Sequence, residues 1–172
     1  VGPGIAFAQS ILDERPTSRV LLVPCAVGGT AISKWQKGER LYEETVRRAK
    51  LALSQGPIGK TRLAGALWLQ GEADSGSAER IDAYTRYLDQ MIDDLRADLN
   101  SPNLPFIACT IGEMRPDADG RKQINAILLD LPNRKASTAC VDSRTFAKSI
   151  GDNVHFDTPT QNEQGRRYAA EY

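Results

Sequence analysis

The chain has 172 residues, 41% of them hydrophobic and 26% charged, and Lys plus Arg equals Asp plus Glu at 22 each. That length fits a single domain, 1–172, with enough interior to bury a core. The balanced charge gives no global field favouring nucleic acid or an acidic membrane surface, and no run of about 20 apolar residues is present to cross a bilayer.

The opening residues Val1-Gly2-Pro3-Gly4 read as the interior of a domain, so localisation stays open between secreted and cytoplasmic. Ser10 falls in or near a first helix. Val20-Leu21-Leu22-Val23 is a compact β-rich run closed by Pro24, and it predicts a first strand. Residues 39–54 place Leu41, Val46, Ala49 and Leu53 on one helical face. Leu63 to Leu69 is a second apolar run. Residues 77–99 carry a long helical stripe of Ile81, Tyr84, Leu88, Met91, Ile92, Leu95 and Leu99, with Ser77 or Ser75 as its cap. A third run, 106–111, follows Pro105. A helix from Ile124 is expected to stop before Pro132, because the residue preceding a proline avoids the helical region. Thr138 to Val141 is a fourth run, and residues 160–172 suit a closing helix.

Apolar strands alternating with helices predict an α/β fold, with a parallel sheet covered on both faces in three layers. Ligands in such folds sit beyond the carboxyl ends of the strands. Four segments occupy those places. Cys25-Ala26-Val27-Gly28-Gly29-Thr30 follows the first run, and its glycine pair reads equally as an oxyanion contact through exposed N–H groups or as a tight turn. It matches neither a P-loop nor a dinucleotide fingerprint.

Gln70-Gly71-Glu72-Ala73-Asp74 follows the second run. Gln70 can offer an amide into a cleft, Glu72 can orient that amide, and Asp74 reads best as an acid capping the next helix. Gly112 to Arg115 follows the third run and reads as an exposed loop. Gly151-Asp152-Asn153-Val154-His155 lies between the fourth run and the closing helix and contains the only histidine. A carboxylate three residues before an imidazole can accept from Nδ1–H and leave Nε2 facing a nucleophile. The three cysteines, Cys25, Cys109 and Cys140, lack Cys-x-x-Cys spacing and read as small buried thiols.

In order along the chain, Val1 to Ala8, Val23 to Ile32 with Trp35, Leu67 to Asp74 and Asp152 to His155 resemble blocks of the SGNH-hydrolase superfamily. Within it, they are similar to the sialate O-acetylesterase-like group, carbohydrate esterase family 6. The resemblance implies a three-layer, flavodoxin-like fold in which His155 is the general base and Asp152 its orienting acid. A backbone N–H of Gly28-Gly29 and the Gln70 amide would line the oxyanion hole, with Glu72 beside them.

It implies removal of acetyl groups from sugar esters through an acyl-enzyme, small or polymeric, with no metal and no organic cofactor. The group's nucleophilic serine belongs to a block upstream of Val1, on a first strand expected to be absent here. The chain's own N-terminal segment is thus an expected partner. Ser33, Ser75 and Cys25 sit near the same end without matching that block. The competing reading is a carbohydrate-binding or scaffolding domain without the nucleophile.

Overall fold

The computed structural model describes residues 2–57, 59–115 and 118–172. Val1, which opens the first of the resembling blocks, lies outside the described residues. The elements are α1 (Gly4–Glu14), α2 (Arg40–Gln55), β1 (Ala66–Trp68), α3 (Ala78–Asp98), β2 (Phe106–Cys109), α4 (Asp119–Leu129), α5 (Leu131–Arg134), β3 (Thr138–Val141) and α6 (Thr158–Ala170). The strands form one parallel sheet in the order β1-β2-β3, with Trp68 opposite Ala108 and Ala108 opposite Cys140.

Side chains alternate across this sheet, as the two-residue period of a strand requires. Trp68, Phe106 and Ala108 face a core shared with Tyr42 of α2, the Leu88–Met91–Ile92 stripe of α3 and Ile124 and Leu128 of α4. Ile107, Cys109 and Val141 face the other way, toward Tyr168 of α6 and Phe7 of α1. The result is the expected α/β/α arrangement. On the second face, α1 and α6 approach closely at Gly165, where a Cβ would overlap the Pro3 carbonyl oxygen.

Helix α3 begins where the serine pattern placed it: the Ser77 hydroxyl accepts from the Arg80 N–H at 3.4 Å. The helix containing Ile124 stops at Leu129, before Pro132 as expected, and Pro132 then enters the first turn of α5, where a proline's missing N–H has no intrahelical partner to lose. One expectation fails. Val20 to Val23 forms no strand. Leu21 is 64% exposed, and Leu22 and Val23 are exposed too. A parallel strand exists only if a neighbour takes its N–H and C=O groups. Among the described residues β1 pairs with β2 alone, so the sheet edge nearest in sequence to this run is open. An apolar run without a paired neighbour has no ladder to join.

Among the described residues, no helix is long and apolar enough to cross a membrane. Cys109 is buried and Cys140 half-buried, and burial pushes both thiols up to about 12, as inert core thiols should behave. Cys25 is half-buried as well.

Candidate active site

Because all three strands run parallel, the loops after β1, β2 and β3 emerge on one side of the sheet. The loop after β1 contains Gln70. Gly71 follows with φ 148°, and a Cβ there would lie 2.6 Å from Ile124 Cγ2. Neither the backbone conformation nor the space admits a side chain.

That sharp turn sends Gln70 toward the glycine segment, where its Nε2 donates to the Thr30 carbonyl at 2.9 Å and to Asp74 Oδ2 at 2.6 Å. The same Asp74 oxygen accepts the Ile32 backbone N–H at 3.0 Å. Beneath them, the Tyr84 hydroxyl donates to the Gln70 carbonyl at 2.9 Å and lies 3.2 Å from Gln70 Oε1. Tyr84 in turn accepts from Trp68 Nε1 at 3.3 Å. Tyr84 is fully buried, and loss of water holds its phenol well above the usual range.

The cluster therefore joins two segments 40 residues apart. Thr30 is fixed further by its hydroxyl, which donates to the Val27 carbonyl at 2.8 Å and accepts from Trp35 Nε1 at 3.0 Å. Gly28 and Gly29 form the exposed tip of this turn, and Gly29 adopts φ 71°. The residue that holds the Gln70 amide is Asp74, where the sequence pointed to Glu72; Glu72 is half-buried, and its carbonyl accepts from the Ser75 hydroxyl at 2.9 Å. Asp74 is 1% exposed, and burial raises its carboxyl while the bonds from Gln70 and Ile32 act against that rise. Its role as a helix-capping acid falls instead to Ser77.

After β3 the chain folds into a narrow loop. Ser149 and Phe156 form an antiparallel bridge, and the Ile150 N–H donates to the His155 carbonyl at 3.1 Å. Inside the loop, Asp152 Oδ1 accepts the Ser149 hydroxyl and the N–H groups of Val154 and His155 at 2.8–3.1 Å. That leaves Oδ2 for the imidazole, 2.5 Å from His155 Nδ1. The His155 side chain holds the Asp152 carboxyl well below the usual carboxylate range, and the two backbone N–H groups add to the effect.

The His155 side chain is 73% exposed, and its Nε2 makes no hydrogen bond among the described residues. Phe156 anchors the loop: it is buried and packs beside Gly112, the residue that follows β2 and Thr110-Ile111. Gly112 is braced from behind by Arg121, which donates to its carbonyl at 2.7 Å.

The structure thus forms two groups, the buried Gln70 cluster and the exposed Asp152–His155 pair, both on the carboxyl-end side of one parallel sheet. No direct hydrogen bond joins them among the described residues. A carboxylate-oriented imidazole with a free Nε2, on the same side as a held amide, defines a site suited to proton transfer and oxyanion stabilisation.

Sequence comparison gives this class a family. The profile of the carbohydrate esterase, sialic acid-specific acetylesterase family matches residues 1–172, and the chain belongs to that family. A probable carbohydrate esterase of Arabidopsis thaliana is 34% identical over 175 residues, covering 100% of this chain and 63% of that protein. A probable 9-O-acetyl-N-acetylneuraminic acid deacetylase of Escherichia coli is 27% identical over 118 residues, 58% of this chain and 35% of that one. The chain therefore spans less than two thirds of either curated relative.

Among solved structures, an Arabidopsis thaliana protein superimposes with TM-score 0.87 at 33% identity, over 99% of this chain and 67% of that one. A carbohydrate acetylesterase from Xanthomonas citri shares the fold, with TM-score 0.66 at 19% identity, over 98% of this chain and 40% of that one.

Proposed function

We propose that this chain forms most of the active site of an O-acetylesterase acting on acetylated carbohydrate through a serine acyl-enzyme. The observation that carries the reading is the Asp152–His155 pair, with Nδ1 tied to a carboxylate and Nε2 open to solvent. Asp152 fixes the tautomer that leaves Nε2 basic. Nε2 takes the proton of the serine hydroxyl as its oxygen attacks the acetyl carbon. The same proton then passes to the sugar oxygen as the C–O bond breaks. Water repeats the cycle on the acyl-enzyme and releases acetate.

The Gln70 amide and a backbone N–H of the Gly28-Gly29 turn stabilise the oxyanion, with Glu72 at the substrate side. Both Gln70 amide hydrogens are engaged by protein acceptors in this structure. Donation to an oxyanion therefore exchanges one of them, and the Thr30 carbonyl is the one to give way, since it is neutral and on the exposed turn.

The serine comes from a segment preceding Val1 in the natural protein. Its strand would occupy the open edge of β1 and pair with Val20 to Val23, covering the exposed Leu21 and Leu22. The open outer edge of β1 and the unpaired run Val20 to Val23 support the reading, because each leaves backbone groups that a further strand could satisfy.

The test is hydrolysis of an aryl acetate and of an acetylated sugar by the full-length natural protein and its His155→Ala variant. Removal of the base should lower kcat by about three orders of magnitude or more. Activity retained in full by the variant would sink the mechanism.

A further inference from the structure

Asp74 belongs to no part of the mechanism above, yet it is the most buried acid in the site and touches both of the segments that flank the proposed oxyanion. Its Oδ2 receives the Gln70 amide at 2.6 Å and the Ile32 N–H at 3.0 Å, and the whole residue is 1% exposed. A carboxylate with no water around it attracts both donors more strongly than a neutral acceptor would. Ile32 is itself buried, and it opens the short 3-10 helix, Ile32–Trp35, that follows the Gly28 to Thr30 turn. Asp74 Oδ2 therefore ties the Gln70 amide to the chain just after the glycine turn, beside the direct bond from that amide to the Thr30 carbonyl.

Resting on the function proposed above, we infer that Asp74 is the positioning residue of the oxyanion hole: its carboxylate holds the Gln70 amide and the Ile32 N–H at one point. It does not touch substrate. When the Thr30 carbonyl yields to the oxyanion, the bond to Asp74 is what keeps Nε2 in place. The amide hydrogen that faces the developing charge is then aimed by the one that faces Asp74.

Three variants of the full-length protein, Asp74→Ala, Asp74→Asn and Gln70→Ala, test this. Each is titrated with a fluorophosphonate that labels only folded sites with a reactive serine, so that kcat is expressed per competent site. Asp74→Ala should lower kcat about 100-fold, the scale on which a misplaced catalytic group acts, with KM within about threefold of wild type. Asp74→Asn keeps an acceptor oxygen where Oδ2 stands and should recover most of that loss.

A boronic acid that forms a tetrahedral adduct on the serine should bind more weakly in step with kcat. A purely structural Asp74 would reduce the number of titrated sites and leave kcat per site and boronate affinity unchanged, and that result overturns the inference. If Asp74→Ala does not fold, Asp74→Leu, which fills the same space without an acceptor, decides in its place: a fall in kcat per site with KM held supports the inference, and an unchanged kcat per site overturns it. A drop with Gln70→Ala but none with either Asp74 variant removes Asp74 only. No drop with Gln70→Ala removes both Asp74 and Gln70's oxyanion role.

Discussion

Asp74 and Asp152 each hold a neighbour that the proposed chemistry needs, but they do so under opposite conditions. Asp74 lies in the interior, where burial raises its carboxyl and its two donors restrain the rise. Asp152 lies at the surface, where the imidazole and two backbone N–H groups hold its carboxyl down. The inner carboxylate is placed by packing: Gly71 leaves no room for another arrangement, and Tyr84 closes the floor. The outer one is placed by its own loop, through hydrogen bonds spanning only a few residues. One half of the site is thus part of the core and the other half is a self-contained loop seated on it by Phe156.

The largest effect that sharpens this contrast is on activity without stability. Asp152→Asn should lower kcat of the full-length protein by about 10³–10⁴-fold, because the imidazole loses the partner that selects its tautomer. Its melting temperature should stay within about a degree of wild type, since exposed ion pairs contribute little. A large loss of stability would show that the loop is not self-contained.

The converse is expected of Gly71→Ala, which should cost about 2–4 kcal/mol in denaturant unfolding, from strain at positive φ plus overlap with Ile124. A cost below about 0.5 kcal/mol would mean that the inner cluster can relax around a methyl group.

The smallest effect separates the two carboxylates by pH. Asp152 has a folded pKa below its unfolded value. Its contribution to stability is thus complete above the unfolded pKa and lost as pH falls through the folded one. Any advantage in melting temperature of wild type over Asp152→Asn should persist down to about pH 4 and shrink only at lower pH. An advantage that vanishes nearer neutrality would contradict the depressed pKa. Asp74 has the opposite sign: its raised pKa makes its ionisation a cost that sets in as pH rises above the unfolded pKa and is complete once pH exceeds the folded one.

Much of this was legible before the structure. The stripe from Ile81 to Leu99 gave α3 and its Ser77 cap almost to the residue, and Thr138 to Val141 is β3 as expected. Asp-x-x-His implied a contact within one turn of chain, and local spacing sufficed to see it. The inner half was harder. Whether Glu72 or Asp74 meets the Gln70 amide depends on how Gly71 turns against Ile111 and Ile124, contacts separated by 40 residues or more.

The run Val20 to Val23 has every local property of a strand, but pairing is a property of the neighbour, and no composition within the run reveals it. Pro132 shows the same limit in a helix. The residue signals a boundary, but whether the chain ends or restarts there is decided by how α5 packs onto β3.

The two tryptophans of the chain meet edge to face, with ring centroids 5.5 Å apart, and each is bonded to one of the two segments the site brings together. The Trp35 indole N–H reaches Thr30 beside the glycine turn, while Trp68 leads directly into Leu69 and Gln70. The molecule therefore carries its own optical gauge, because any shift of the turn against the strand end alters the coupling between two indoles and the polarity around both. Emission on excitation of tryptophan reports that movement from the unlabelled, unmutated 172-residue chain, in which these two are the only indoles.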